Sequence, residues 1–410
     1  VRQFGGADRL QRHGSGREYQ LNIHFQHCDF IADISTPQIS VYKEKRIYAQ
    51  GIEAYDQESR NPPFQQVIKM TITYGIIGTN WITTSWILSA AKTKQWTLGA
   101  VYSRTLSQAK DFGQKHNCNT SYDTLDALAA DSSLQAIYIA SPNSLHYAHA
   151  TQMLEAGKHV ILEKPATSTP RELDALFALA ARKGVYLIEA YRHIQEANFK
   201  RLRSQLVEEQ RLGRIYGASF GYASWSSRYW DVLTGSQPVP NIFSLEFSGG
   251  SLVDIGVYPI TFAVALFGAP SKQTYVPFMT KSGVDGGGVG ILHYEGFGVQ
   301  INASKGYRSA ALCEIYGEKG TFTINAVFDV EKVEFWDPKT KETSPVEVGP
   351  VADYDKGSVN MLEEAQEFAR IINEKDEAAL KELERISRIV IGVTSDMRKQ
   401  GGVIYPADKE

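Results

Sequence analysis

The stretch His159-Val-Ile-Leu-Glu-Lys-Pro165 decides the fold. Val160, Ile161 and Leu162 run apolar without alternation, the pattern of a parallel strand buried on both faces. The strand then ends on a charged pair and a proline. In an open α/β sheet, ligands bind at the carboxyl ends of the strands. Lys164, preceded by Glu163 and held by the restricted backbone of Pro165, is placed to act on a bound molecule. Alone, the tripeptide equally suits a solvated strand end followed by a turn, so its neighbours carry the decision.

Upstream, Ile72 to Ile77 reads as a first strand, followed by Gly78-Thr-Asn-Trp-Ile-Thr83 and a helix from about Thr84 to Lys92. Strand, glycine turn and helix form the setting of a phosphate-binding loop, whose free helix N–H groups face a pyrophosphate. Gly78, Thr79, Asn80, Trp81 and Ile82 are the candidate loop residues. The glycine fingerprint is degraded, since Asn80 and Thr83 stand where glycines are expected. Asn80 is expected to take a left-handed conformation and save the turn. A plain tight turn is the competing reading.

The next strand, Thr97 to Tyr102, ends in Ser103-Arg104, about 25 residues beyond Gly78, where an NAD site places an acid on the ribose 2′-hydroxyl. A hydroxyl and a guanidinium suit a 2′-phosphate instead, which implies NADP with NAD possible. The alternative is an exposed arginine at a strand end. A helix over 106–115 and a short αβ unit over 124–131 follow, then a strand over 135–141 ending in Ser141-Pro-Asn143. A helix over 145–156, the Lys-Pro strand, a helix over 170–183 and a last strand over 185–189 complete the half. Strands alternating with helices of this length predict a doubly wound parallel sheet, a Rossmann-type α/β domain over 70–190. Asn143, Lys164 and Glu189 should then line one rim.

Size and composition fit this reading. The 410 residues suit two domains, and 22% charged and 43% apolar residues are ordinary for a globular chain. A net charge of −3 gives no reason to expect nucleic acid as partner. No apolar run reaches the ~18 residues of a membrane span. Cys28, Cys118 and Cys313 have neither disulfide nor metal-ligand spacing, so no metal is expected and a reducing, cytoplasmic compartment is. Residues 1–69 have weak periodicity. They are expected to be an extension outside the core, with the functional protein beginning at Met70.

Together, Gly75-x-x-Gly78, Ser141-Pro-Asn143-x-x-His146, Glu163-Lys-Pro165 and Glu189-Ala-Tyr191 resemble the Gfo/Idh/MocA oxidoreductases, the relatives of glucose–fructose oxidoreductase and inositol dehydrogenase. The resemblance covers about 70 to 405. It implies that Lys164 lies beside the nicotinamide and the substrate hydroxyl. It places Ser141, Pro142, Asn143, His146 and Glu163 with the cofactor, His146 in a structural role.

After Glu189 the chain changes character. A helix over 198–209 precedes β-type segments over 215–223, 273–278, 288–294, 298–303, 311–317 and 320–325, and two amphipathic helices over 359–400 close the chain. This predicts an α+β domain over 191–410 with an open, mostly antiparallel sheet. In similar proteins the free sheet face makes dimers or larger assemblies, which implies a homo-oligomer. Within this half, Asp254-Ile-Gly-Val-Tyr258 precedes an apolar helix, and a spacing of four puts both side chains on one helical face. A capping Asp and a core tyrosine would look the same. The resemblance puts Tyr258 where many relatives have a catalytic histidine. Tyrosine there is similar to the subgroup of dimeric dihydrodiol dehydrogenase, NADP-dependent xylose dehydrogenase and glucose–fructose oxidoreductase. Ser224-Trp-Ser-Ser-Arg-Tyr-Trp230 could pack a ring substrate, although a packing or surface loop explains it better.

The chemistry implied is hydride exchange between NADP and a secondary hydroxyl of a sugar, polyol or cyclic trans-dihydrodiol. Tyr258 would be the acid/base, a neighbouring Lys164 ammonium would favour its phenolate, and Asp254 would orient the pair. A non-catalytic NADP-binding sensor of the same fold is the alternative. An isomerase or lyase that retains its cofactor is a third.

Overall fold

The computed structural model describes residues 71–347, 349 and 358–409, together with four strand segments before them. The chain divides into two compact units, Val1–Val67 and Ile68–Glu410. In the first, β1 (Gln11–Arg12), β2 (Tyr19–Phe25), β3 (Cys28–Asp33) and β4 (Ser40–Lys43) form an antiparallel meander. Sequence periodicity did not announce those strands. The proposed start at Met70 lies outside the described residues.

The second unit opens with β5 (Ile72–Ile77), α1 (Trp81–Thr93), β6 (Trp96–Tyr102), α2 (Leu106–Lys115), β7 (Ser121–Tyr122) and α3 (Leu125–Ala130). It continues through β8 (Ala136–Ile139), α4 (His146–Glu155), β9 (His159–Leu162), α5 (Pro170–Lys183) and β10 (Leu187–Glu189). The strands pair in parallel in the order β10-β9-β8-β5-β6-β7, the expected doubly wound sheet. Order reverses between β5 and β8, and that crevice is where such sheets take ligands. Local chemistry fixes the helix ends. Thr169 and Glu172 form a capping box at α5 with Pro170 at its first position, and Gly184 closes it at φ 67°.

One face of this sheet is sealed by aromatic rings. Trp86 stacks on Tyr138 at 4.7 Å and meets Trp96 edge-on at 5.5 Å. Each such ring, fully buried, contributes about 1.5–3 kcal/mol through area alone. Part of the seal comes from the far end of the chain. Helix α9 (Leu362–Glu374) lays Ala365, Phe368 and Ala369 into this cluster, and the Trp96 indole donates to the Ala365 carbonyl at 2.8 Å. The C-terminal helices expected with the second domain are therefore shared. α9 covers the first sheet, whereas α10 (Glu377–Gln400) packs between both halves. Its buried length explains the sharing, since both of its apolar flanks find cores.

The second half contains α6 (Ala197–Val207), β11 (Ile215–Ala223), α7 (Tyr229–Thr234) and α8 (Val257–Phe267). Strands β12 (Lys272–Met279), β13 (Asp285–Tyr294), β14 (Phe297–Ser304), β15 (Cys313–Gly317), β16 (Gly320–Ile324), β17 (Val333–Asp337) and β18 (Glu342–Val346) follow. They form an eight-stranded sheet in the order β12-β13-β14-β11-β15-β16-β17-β18, antiparallel except for β11 with β14. Helices α8 and α10 cover one face. On the other, the cross-strand neighbours Val276 and Val289 are exposed. No helix among the described residues is long and apolar enough to cross a membrane.

Candidate active site

The loop after β5 is built for close approach. Gly78 sits at φ 106°, and a Cβ there would lie 2.5 Å from the Ala140 carbonyl oxygen, so only glycine lets β5 and β8 close up at the crevice. Asn80 does not take the left-handed conformation expected of it. At φ −98° it is the N-cap of α1, which begins at Trp81, three residues earlier than the sequence implies. Its side-chain oxygen accepts from the Ile82 and Thr83 N–H groups, and its amide donates to the Ala140 carbonyl at 2.8 Å. The residue that replaces a glycine thus caps the helix and ties the loop to the neighbouring strand end. The N–H groups of Thr79 and Asn80 have no partner among the described residues.

At the end of β6, Ser103 donates to Gln108 and the exposed Arg104 makes no ion pair with any described residue. At the end of β8, Ser141, Pro142 and Asn143 enter a short 3₁₀ turn, and the Asn143 amide donates to the Ser248 carbonyl across the cleft. The free N–H groups, the tight glycine turn and the unpaired guanidinium fit a dinucleotide phosphate.

Two residues assigned to the cofactor rim, and a third expected to line it, face inward. His146 is buried, with its ring nitrogens 2.9 Å from the Pro165 carbonyl and 2.8 Å from the Ser141 carbonyl. It braces the loop after β8 against the loop after β9. Burial pulls this imidazole down to about 4, although its two carbonyl partners favour the proton. The Glu163 carboxylate points into the sheet, taking the Tyr138 hydroxyl at 2.7 Å and the Lys164 N–H at 3.2 Å, and burial pushes it up. Glu189 is buried as well. It accepts from the Ala166 N–H at 2.8 Å, and burial raises it to about 7. Alternation along a strand explains Glu189, because the residue ending a strand can face a covering layer as readily as the rim.

Lys164, Asp254 and Tyr258 do come together. A π-helical turn, Leu252–Gly256, runs directly into α8. From Ser251 to Leu266 every residue is buried except Asp254 and Tyr258, so this apolar segment shows the cleft one face with two polar tips. Its start is fixed by Asp285, which is buried and accepts from the Leu252 N–H at 2.7 Å and the Tyr275 hydroxyl at 2.8 Å. Gly250 precedes it at φ 136°, packed against that same carboxylate.

Lys164 stands two residues beyond the end of β9 and is joined to Pro165 by a cis peptide bond. Its Nζ donates to the Asp254 carbonyl at 2.8 Å and to Asp254 Oδ1 at 3.2 Å. It also lies 5.1 Å from the Tyr258 ring centre, over the ring and without a hydrogen bond to the phenol oxygen. Burial works against its charge, but Tyr258, Asp254 and Glu163 outweigh burial and hold the amine above the ordinary lysine range. Burial also opposes the Asp254 carboxylate, which Lys305 and Lys164 hold well below its usual value.

Four neighbours of Tyr258 and Asp254 escaped the sequence reading. The Lys305 ammonium pairs with Asp254 Oδ2. Arg192 places its guanidinium 5.7 Å from the Tyr258 ring centre and pairs with Asp329 at 2.8 Å. His193 lies against the same ring at 4.8 Å, kept neutral by burial and by the Arg192 and Lys164 charges. Tyr222 meets it edge-on at 5.5 Å. Arg192 and His193 directly follow the Glu189-Ala-Tyr191 run, the one signal that pointed to them. The aromatic segment 224–230 divides. Tyr229 enters a small core with Phe243 and Tyr405, while Trp225 and Trp230 are exposed. No group of three or more His, Cys, Asp or Glu among the described residues could hold a metal ion.

Comparison with known proteins accords with this geometry. Residues 72–191 match the GFO/IDH/MocA oxidoreductase family profile with its NAD-binding Rossmann fold, and residues 199–323 match the GFO/IDH/MocA C-terminal domain. The scyllo-inositol 2-dehydrogenase (NADP⁺) of Bacillus subtilis is 38% identical over 341 residues, spanning 82% of this chain and 99% of that protein. The mouse trans-1,2-dihydrobenzene-1,2-diol dehydrogenase is 28% identical over 352 residues, spanning 83% of this chain and 100% of that protein. Among solved structures, an NADP complex of a 3-ketoreductase from Actinomadura kijaniata superposes with a TM-score of 0.66 at 22% identity, covering 80% of this chain and 97% of that one.

Proposed function

The chain belongs to the GFO/IDH/MocA oxidoreductase family, and from that premise we propose that it is an NADP-dependent dehydrogenase of a secondary hydroxyl on a cyclic polyol, sugar or trans-dihydrodiol. The observation that carries the reading is the convergence of Lys164, Asp254 and Tyr258 on one cleft beside the dinucleotide crevice. The similarity to a scyllo-inositol dehydrogenase favours cyclic polyols within that class.

Gly78, Thr79, Asn80, Trp81 and Ile82 would hold the pyrophosphate, Ser103 and Arg104 the 2′-phosphate, and Ser141, Pro142 and Asn143 the nicotinamide half. When bound, the nicotinamide supplies the hydride acceptor. The Tyr258 oxygen, which no described residue engages, takes the substrate's hydroxyl proton in its phenolate form and returns it as the phenol in the reverse direction. Lys164 presents a positive charge where negative charge grows on the substrate oxygen. Asp254 fixes that ammonium by a carbonyl and a carboxylate oxygen, so its position is set before substrate enters. His146 and Glu163 act through the backbone, holding the two rim loops. A cytoplasmic location and self-association through the open sheet face, where Val276 and Val289 are exposed, belong to the same reading.

The test follows nicotinamide absorbance with NADP⁺ over a panel of inositols, aldoses and cyclic trans-diols. Turnover of at least one is expected. Cofactor binding with no turnover on any would overturn the reading in favour of a sensor.

A further inference from the structure

Asp254 is bound by two lysines at once, one on each carboxylate oxygen. Lys164 Nζ holds Oδ1 at 3.2 Å and the backbone carbonyl at 2.8 Å, and Lys305 Nζ holds Oδ2. These three side chains are largely but not wholly enclosed, at 14%, 23% and 11% exposure for Lys164, Asp254 and Lys305. Lys305 comes from the opposite domain wall. It follows β14, and its backbone is fixed by bonds to the Gly286 carbonyl and the Ser226 N–H.

Charge arithmetic gives the arrangement a meaning. One ammonium on one carboxylate sums to zero, and a neutral pair does little for a developing oxyanion. Two ammoniums on one carboxylate sum to +1. The surplus sits beside the Tyr258 ring, since the Arg192 charge near the same ring is already taken by Asp329 and Glu196. Burying an unbalanced charge is costly, and such charge is retained where it acts on charge that appears in the reaction.

Resting on the dehydrogenase reading above, we propose that Lys305 is a positioning residue of the reaction. By taking one oxygen of Asp254 it frees the Lys164 ammonium from full neutralisation, so that Lys164 can stabilise the alkoxide formed when the substrate hydroxyl gives up its proton. Lys305 acts through Asp254 and is not itself required to bind NADP.

The test is a double-substitution cycle, read as kcat and KM on the best substrate of the panel with NADPH binding measured separately. Lys305→Met removes the surplus charge. It is expected to lower kcat about 10²-fold, the usual cost of one oxyanion-stabilising group, with little change in NADPH affinity. Lys305→Arg keeps the charge and is expected to stay within roughly tenfold of the parent. The deciding variant is Lys305→Met with Asp254→Asn, in which Lys164 stands alone and the sum returns to +1. It is expected to be at least about tenfold faster than Lys305→Met by itself, a non-additive result that loss of packing cannot give. Should Lys305→Met fail to fold, Lys305→Gln takes its place in the same cycle. A double variant no faster than the single one overturns this inference while leaving the dehydrogenase reading intact. Absence of turnover in the parent on every substrate overturns both.

Discussion

The Lys164 ammonium lies 5.1 Å from the centre of the Tyr258 ring and gives its hydrogen bonds to Asp254. Lysine and tyrosine therefore share a cleft without sharing a proton. The phenol oxygen stays open toward whatever enters, and the amine acts on it as a charge over a ring face.

That division of labour makes Tyr258→Phe a clean experiment. The ring, its contact with His193 and the charge above it are kept, and only the hydroxyl is lost. Turnover should fall by at least ~10²-fold while NADPH binding is unchanged. Unaltered turnover would remove Tyr258 from the acid/base role.

Arg104 is exposed and unpaired among the described residues at the end of β6, so its replacement disturbs no internal contact. Arg104→Ala should weaken NADPH roughly 10- to 150-fold, the loss of charge-assisted bonds to a phosphate, and leave NADH nearly untouched. Isothermal titration with both cofactors decides it, since an equal loss would mean that Arg104 does not read the phosphate.

Phe368 and Trp96 measure how firmly α9 is docked. Phe368→Ala should cost about 3–5 kcal/mol in denaturant unfolding. Trp96→Phe, which removes the 2.8 Å bond to the Ala365 carbonyl, should cost roughly 0.5–1.5 kcal/mol. No loss in either would show that α9 contributes little to the fold.

Glu189 gives a pH signature. Its folded-state value, about 7, lies above that of an unfolded glutamate, so the native state binds the extra proton. Its contribution is present in full below about 4.5 and is lost as pH rises toward 7. Glu189→Gln removes this dependence. The unfolding midpoint of the variant, relative to the parent, should therefore climb between pH 4.5 and 7; a flat difference would contradict the assignment.

Much of the site could be read in the sequence because its chemistry sits at strand ends. The Lys-Pro run lies where a parallel strand stops and the Asp-x-Gly-x-Tyr run where an apolar helix begins, and the fold brings such ends together. Other features depend on facts no linear pattern contains. Lys305 reaches Asp254 only because β14 pairs in parallel with β11 inside an otherwise antiparallel sheet. Strand β18 went unread because an edge is allowed to be polar and to carry Pro345, which an interior strand would exclude. Glu189 was placed on the rim because the last residue of a strand does not declare its face. Asn80 broke a glycine pattern for a reason of its own, to cap α1.

The bond from Trp96 to Ala365 spans 269 residues of chain. During synthesis, the dinucleotide domain would leave the ribosome with its Trp86–Trp96 flank uncovered, and its lid would still be untranslated. At ordinary elongation rates that interval is on the order of tens of seconds. Through that time the nascent half-protein would offer chaperones a greasy aromatic surface, and a gene cut after the first domain would yield a fragment that keeps it for good.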